Sequence, residues 1–529
     1  MLDMVIKNGR IVDGTGKAAF KCDIAVKDGK IDSLGAFDGS SAEYLIDARG
    51  QVVAPGFIDC HTHSDRCLPI DPEVENKLAQ GITTELCGLC GFTSFPISEK
   101  TFPVARRYFA SDGIIEPPLY GSYESFGQYL DWIDSLKLSH NMGMFVGEGA
   151  IRLAVMGLEN RKPTKSEMKL MVSLTEEALD CGAIGLSSGL KYAPGSFSTN
   201  DEMTELCKAV GEKGKVYESH IRSQGEFLEE SVHDTLDMAR LTRCTAIVSH
   251  HKALGKQYWG KVRRTVAEIH DYHDKGFKVG HNVYPYVAAS TTLMASLPPS
   301  VLSMDHARII AMLKDEECRK KLESAIFNPV EKWDNDLLNS GYSGLMVLNA
   351  PSTPDAQGLF IDEFAKLRRI PPFDAFALIL SENDLQVDLM NFSISEDDMR
   401  FVLSDPLSVV GSDSIYVKGQ QFTHPRAFGT FPRILGKYVM GNRLLGLEEA
   451  VRKMTGQTAM LYGIPNKGFI KPGFDADLTI FDPDTVEDLS DYSNTMAPNV
   501  GISYVIVNGR VAMRDNAMTE ERAGKLIRF

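Results

Sequence analysis

The middle of the chain alternates between short apolar runs and longer stretches with helical spacing. The runs predict strands, and the segments between them, such as "SEMKLMVSLTEEALDCG", predict helices. Strands that alternate with helices form a parallel sheet, and eight such units predict a closed (β/α)8 barrel of TIM-barrel type. The eight runs are "GFIDCHTH" (56–63), "GITTELCG" (81–88), "MGMFVGEGA" (142–150), "AIGLSSG" (183–189), "KVYESHI" (215–221), "AIVSHHK" (246–252), "VGHNVYPY" (279–286) and "SVVGSD" (408–413).

The two ends of the chain follow a different pattern of short strands joined by Asn-Gly and Asp-Gly turns, as in "MVIKNGRIVD" and "ISYVIVNGRVAMRD". They predict one small β-sandwich domain built from residues 1–56 and 468–529, with the barrel at 57–467. About 120 residues separate the seventh run from the eighth, far more than an ordinary connection. This gap predicts an inserted lid or subdomain at about 290–345.

Composition and charge narrow the class of protein. A net charge of −15 argues against nucleic acid and anionic membranes as partners, because both need a basic surface. No run of apolar residues is long enough to predict a transmembrane helix. The nine cysteines have no disulfide-framework spacing, and the N-terminus has no signal-peptide core, so the chain is predicted to be cytoplasmic. The sequence leaves open whether the protein is a homo-oligomer.

Six residues of types that bind metals end or closely follow predicted strands. They are His61, His63, Cys90, His220, His250 and Asp413. Residues two apart in a strand share a face, so the imidazoles of His61 and His63 leave their strand side by side. Each residue alone is more often a packing residue than a ligand, but together they predict a metal site at the carboxyl ends of the barrel strands. Imidazole, thiolate and carboxylate favour zinc over magnesium or calcium.

Nearly the whole chain resembles the D-aminoacylases, the N-acyl-D-amino-acid deacylases of the amidohydrolase superfamily. The stretches "SHHK" and "HPRAFGTFPR" are the most diagnostic, whereas "HTH" and "DADLTIFDP" mark only the superfamily. The resemblance implies zinc-dependent hydrolysis of the amide bond of N-acyl-D-amino acids, which gives a carboxylate and a free D-amino acid. The predicted partner is therefore a small-molecule substrate.

The resemblance also implies roles for individual residues. It assigns a tightly bound zinc ion to Cys90, His220 and His250. It implies a second, weaker site facing His61, His63 and Asp413, with Asp413 also the general base. The residues that it assigns to substrate binding, several of them to the substrate carboxylate, are Tyr192, Lys252, Tyr284, Ser290 and Arg426.

Two alternative functions stay open at this stage. A related amidohydrolase could act on a cyclic amide, as hydantoinases and dihydroorotases do, or on a blocked dipeptide. In the cyclic-amide enzymes a carboxylated lysine bridges the metals, and Lys191 lies where that lysine would be, although a solvated loop lysine is the expectation. Strand alternation places Cys87 and Cys90 on opposite faces, so only one of them is expected to be a ligand, and the resemblance to the family implies that it is Cys90. A barrel that serves only as a scaffold is disfavoured because every ligand position is filled.

The side chain of the substrate is predicted to be apolar. The segment "YPYVAASTTLMASLPPSVL" (284–302) has no Lys or Arg that could pair with a second carboxylate. Leu293, Met294 and Leu297 are predicted to line the pocket instead, and the alternative is that they pack the insertion against the barrel.

Overall fold

Eight parallel strands, labelled β1 to β8 here, form a ring in the computed structural model, which describes residues 1–38, 42–97, 105, 123, 125–330 and 333–529. The strands are β1 (Phe57–Asp59), β2 (Ile82–Cys87), β3 (Asn141–Met144), β4 (Gly185–Gly189), β5 (Val216–His220), β6 (Thr245–Val248), β7 (Val279–Val283) and β8 (Ser408–Val410). Val146–Gly147 continues β3 and pairs with β4. The amide of Cys60 donates to Val410 O at 3.3 Å and so links β1 to β8. The predicted (β/α)8 barrel is confirmed.

The helices between the strands bury one face and expose the other. Lys165–Cys181 begins with a capping box at Thr164, ends at Gly182 in the left-handed region (φ 112°), and buries Met171, Thr175 and Ala178, which are one helical turn apart. The helices outside the insertion are Glu75–Leu78, Phe126–Ser135, Glu148–Met156, Lys165–Cys181, Asn200–Glu212, Leu228–Thr242, Val262–Asp274, Glu396–Ser404, Arg426–Arg433, the π-helix Ile434–Gly441, Leu447–Met454 and Gly456–Tyr462.

Two further sheets lie outside the barrel and the insertion: a four-stranded sheet from the N-terminal segment and a seven-stranded sheet to which both ends of the chain contribute. The four-stranded sheet has the order Lys30–Gly35, Asp23–Lys27, Leu2–Lys7 and Ala42–Asp47. The seven-stranded sheet has the order Ala517–Met518, Arg510–Arg514, Ile502–Val507, Leu478–Phe481, Val52–Pro55, Arg10–Ile11 and Phe20–Lys21. Leu526–Ile527, by contrast, pairs with β3 of the barrel. The boundaries 1–56 and 468–529 of the small domain stay a prediction.

The connection from β7 to β8 forms an insertion with its own hydrophobic core, which reaches from Leu293 to Leu389 and so passes the predicted end at 345. Its sheet has the order Ala289–Thr292, Asp388–Asn391 and Leu345–Asn349. Its α-helices are Pro299–Leu302, His306–Lys314, Glu316–Phe327, Asp336–Ser340, Ile361–Arg368 and Pro372–Glu382. None of the helices in the described ranges combines the length and apolar character that crossing a membrane requires.

Candidate active site

The predicted metal ligands converge at the carboxyl ends of the barrel strands, around the thiol of Cys90. Cys90 Sγ lies 3.3 Å from Nε2 of His61. It lies 3.5 Å from Nδ1 of His220 and 3.6 Å from Nε2 of His250. The ligand atoms of His61, Cys90, His250 and Asp413 all lie within 4.8 Å of one another. These four residues therefore come from both of the ligand sets that the family resemblance assigned separately.

Asp413 connects this cluster to a cation. Its Oδ1 lies 3.2 Å from Nε2 of His63 and 3.6 Å from Nε2 of His61. Its Oδ2 accepts a hydrogen bond from Nη1 of Arg426 at 2.7 Å. Burial alone would raise the pKa of Asp413, but Arg426 and the neighbouring histidines hold this pKa well below its usual range. The carboxylate is therefore ionised at neutral pH and can accept a proton.

Three of the clustered residues have left-handed backbones, which non-glycine residues adopt rarely. The φ angles are 54° at Cys90, 34° at His250 and 52° at Asp413. Each residue follows the end of its barrel strand, so the chain has turned before the side chain leaves it. Strand alternation therefore does not apply to Cys90, because β2 ends at Cys87. Cys87 Sγ instead lies 3.3 Å from Thr62 Oγ1, away from the cluster.

Burial keeps most of the clustered imidazoles neutral. It lowers the pKa of His63 to about 4. It also lowers the pKa of His220 and of His250 far below the usual value, with a further contribution from the ammonium group of Lys252. A neutral imidazole is the form that binds a metal ion.

Glu218 is a functional candidate that the sequence analysis missed. It is fully buried, and its Oε1 lies 2.7 Å from Nδ1 of His61. Oε1 also accepts from Ser249 Oγ at 2.9 Å and from Asn282 Nδ2 at 2.8 Å, while Oε2 accepts from the Tyr462 hydroxyl at 2.8 Å. A carboxylate on Nδ1 leaves Nε2 of His61 as the ligand atom facing Cys90. The signal was in "YESH", because Glu218 precedes His220 by two residues on the same strand face.

The five residues predicted to bind substrate lie together beside the cluster. Lys252 Nζ lies 5.2 Å, and the guanidinium of Arg426 4.9 Å, from the centre of the Tyr284 ring. Arg426 Nη2 donates to Ser290 O at 3.5 Å, and the Tyr192 hydroxyl lies 3.2 Å from Thr291 Oγ1. Burial lowers the pKa of Lys252 to about 7. Arg426 and the protonated form of Lys252 therefore place two cationic groups in one cavity next to the metal-ligand cluster.

The expectation of a solvated Lys191 is wrong. Its side chain is buried, and Nζ lies 2.9 Å from Oδ2 of Asp336 and 3.5 Å from Oδ2 of Asp334. These two carboxylates raise the pKa of Lys191 although burial lowers it. The sequence could not show this contact, because both aspartates belong to the insertion.

The predicted apolar lining is also wrong. Leu293 and Leu297 are fully buried in the core of the insertion, and Met294 packs against that core. None of the three lines the cavity above the metal-ligand cluster. The alternative expectation, that these residues pack the insertion, fits their positions.

Comparison with known proteins agrees with the geometry. The model of the "Amidohydrolase family" matches residues 357–513. The D-aminoacylase of Alcaligenes xylosoxydans xylosoxydans is 31% identical, over 99% of this chain and 97% of that protein. This chain belongs to the D-aminoacylase family of amidohydrolases. It is therefore a metal-dependent hydrolase that acts on carbon–nitrogen bonds.

Two solved structures extend the comparison. The N-acyl-D-glutamate deacylase of Bordetella bronchiseptica, complexed with zinc and a phosphonate that mimics the tetrahedral intermediate, has a TM-score of 0.85 at 30% identity over the full length of both chains. The L-hydantoinase of Arthrobacter aurescens has a TM-score of 0.54 at 18% identity over both full chains, a likeness of fold alone. The hydantoinase-like alternative is thus the more distant one.

Proposed function

We propose that this protein hydrolyses the amide bond of N-acyl-D-amino acids, giving a carboxylate and a free D-amino acid. The observation that carries the proposal is one cavity that holds both a cluster of metal-ligand side chains and the cations of Lys252 and Arg426. The cluster suits cleavage of an amide, and the cations suit the α-carboxylate beside it, to which Arg426 can bind with two parallel hydrogen bonds. The D configuration rests on the family relationship.

We further propose that the metal is zinc, bound tightly at Cys90 with His220 and His250, with a second, weaker site facing His61, His63 and Asp413. Tetrahedral zinc with Zn–S near ~2.3 Å and Zn–N near ~2.0 Å separates a sulfur and a nitrogen ligand by about 3.5 Å. Cys90 Sγ lies 3.5 Å from Nδ1 of His220 and 3.6 Å from Nε2 of His250, and these distances support such a site. When bound, zinc would activate water for attack and stabilise negative charge on the carbonyl oxygen.

Asp413 is the proposed general base and acid. Its ionised carboxylate, oriented by Arg426 and by His63, accepts a proton from the attacking water. It then returns this proton to the leaving nitrogen, which is a poor leaving group until it is protonated. Lys252, Tyr284 and Arg426 hold the substrate carboxylate so that the scissile amide faces Asp413.

A panel of substrates tests the function. With zinc supplied, we expect turnover of N-acetyl-D-amino acids, and no turnover of their L enantiomers or of hydantoin and dihydroorotate. Asp413→Asn should keep most of the tightly bound metal but lose about 100- to 10,000-fold in kcat, because an amide cannot carry the proton. Hydrolysis of cyclic amides alone, or an Asp413→Asn activity within tenfold of wild type, would refute the proposal.

No observation favours the second candidate, a cyclic-amide hydrolase with carboxylated Lys191. The ammonium of Lys191 is held by Asp334 and Asp336, and the thiol of Cys90 lies between the histidines of the cluster. We retain the cytoplasm as the proposed location and a small molecule as the proposed partner.

A further inference from the structure

The wall of the cavity that the insertion supplies is polar, although the sequence predicted an apolar one. Residues of the insertion that line the cavity include Thr292, Asp336, Asn349, Asp388 and Asn391. A buried polar group without a partner is costly, so a substrate side chain that reaches this wall is favoured when it pairs with any group of the wall that lacks one. Asp336 is already paired with Lys191 and Asn391, so the hydrogen-bonding capacity left over in the wall lies elsewhere.

Asp388 has the most hydrogen-bonding capacity left over in this wall. Its carboxylate accepts from Asn349 Nδ2 at 3.4 Å, and this is the one hydrogen bond to it that the described residues supply. A carboxylate can accept about four hydrogen bonds. Burial raises the pKa of Asp388 to about 7, while Asn349 and the guanidinium of Arg66 oppose that rise. The residue is half-buried in the cavity wall, where a substrate donor can reach its carboxylate and would stabilise the charge.

The pairing of the insertion strand Ala289–Thr292 gives the distance from the reacting groups to Asp388. Ser290 O accepts from Arg426, which also holds Asp413. Thr292, two residues further along this strand, pairs with Asp388 on the neighbouring strand. At roughly 3.3 Å per residue, Asp388 lies about 7 Å further along than the Arg426 contact. A side chain of the length of glutamine, lysine or arginine spans that interval, whereas alanine or serine does not.

The charges of the wall disfavour an acidic side chain. Asp336 and Asp388 line this wall together with Arg66 and Lys191, and the ammonium group of Lys191 is already paired with Asp334 and Asp336. Both aspartates next to Lys191 compete for its ammonium group, so a substrate carboxylate would have to displace one of them. A second carboxylate near Asp388 would also add like-charge repulsion.

We propose that Asp388 is a specificity-determining residue that selects N-acyl-D-amino acids whose side chain is long and ends in a hydrogen-bond donor. The donor is an amide or a cationic group that binds to the Asp388 carboxylate. This inference rests on the proposed deacylase function and adds the class of amino acid to it.

Four substrates of similar length test the proposal. They are N-acetyl-D-glutamine, Nα-acetyl-D-lysine, N-acetyl-D-methionine and N-acetyl-D-glutamate. We expect kcat/KM for glutamine or lysine, or both, to exceed that for methionine and for glutamate at least tenfold, and the first two substrates distinguish an amide from a cation. Asp388→Ala should reduce the ratio to methionine to within threefold. Glu317→Ala, an exposed carboxylate on another part of the insertion, is the matched control and should keep the wild-type ratio.

The possible results distinguish the role of Asp388 from the deacylase function itself. A wild-type enzyme that prefers methionine or glutamate, or an Asp388→Ala variant that keeps the wild-type ratio, would overturn the role of Asp388 and leave the deacylase function standing. No turnover of any N-acyl-D-amino acid by zinc-loaded protein would overturn the proposed function and this inference with it.

Discussion

Glu218→Gln would test whether a buried carboxylate holds His61 ready to bind metal. The substitution keeps the size of the side chain and removes its charge. The glutamine oxygen can still accept from His61, Ser249 and Asn282, and the amide nitrogen can donate to the Tyr462 hydroxyl, which then becomes an acceptor. We therefore expect the variant to fold. Glu218→Ala, by contrast, would leave four buried donors without an acceptor, and each would lower the stability by about 1 to 3 kcal/mol.

The expected effect follows from the 2.7 Å contact between His61 Nδ1 and Glu218 Oε1. A hydrogen bond to a charged group contributes about 1.5 to 3 kcal/mol, against about 0.5 to 1.5 kcal/mol for a neutral one. The loss of about 1 to 1.5 kcal/mol in the metal-bound state corresponds to a roughly tenfold weaker zinc affinity. This is the lower end of the about 10- to 100-fold effects of groups that orient metal ligands.

Competition with a chelator would measure zinc affinity, and urea unfolding of the metal-free protein would measure stability. Glu202→Gln is the matched control, because Glu202 is also buried but pairs with Arg152 Nε at 3.1 Å, outside the metal cluster. It should lower stability without changing zinc affinity. A folded Glu218→Gln variant that binds zinc as tightly as wild type would show that Glu218 serves packing alone.

The remaining predictions concern single residues. Cys90→Ala should abolish tight zinc binding, whereas Cys87→Ala should leave the metal content near normal. Elemental analysis that shows the reverse would mean that Cys87, and not Cys90, is the ligand. Arg426→Lys should raise KM about tenfold or more, because lysine keeps the charge but not the two-pronged geometry; unchanged steady-state kinetics would exclude substrate binding by Arg426. Lys191→Met should lower the free energy of unfolding by about 3 to 5 kcal/mol in urea titrations, because it leaves buried carboxylates unpaired, whereas wild-type stability would contradict the pairing. Because the pKa of Asp388 is about 7 and ionisation follows as pH rises, the kcat/KM ratio of Nα-acetyl-D-lysine to N-acetyl-D-methionine should rise from pH 6 to pH 8 and stay flat in Asp388→Asn.

Local patterning was enough to predict the barrel. Each strand packs on both faces and is therefore a short, continuous apolar run, which is easy to distinguish from the helical spacing on either side of it. The same patterning placed His61, His63, His220, His250 and Asp413 at strand ends. Parallel strands bring their carboxyl ends to one rim, so convergence of these residues followed from topology alone.

The tertiary structure decided what depends on contacts between distant segments or on a single backbone turn. Cys90 reaches the histidines because the chain turns to φ 54° after β2, and strand alternation does not describe such a turn. Lys191 is buried because Asp336, 145 residues later in the chain, neutralises it. An apolar residue such as Leu293 suits a pocket lining and a core equally well, and only the fold of the insertion places it in the core. Glu218 and Asp388 act through partners on other strands, and a one-dimensional pattern holds no record of which strands become neighbours.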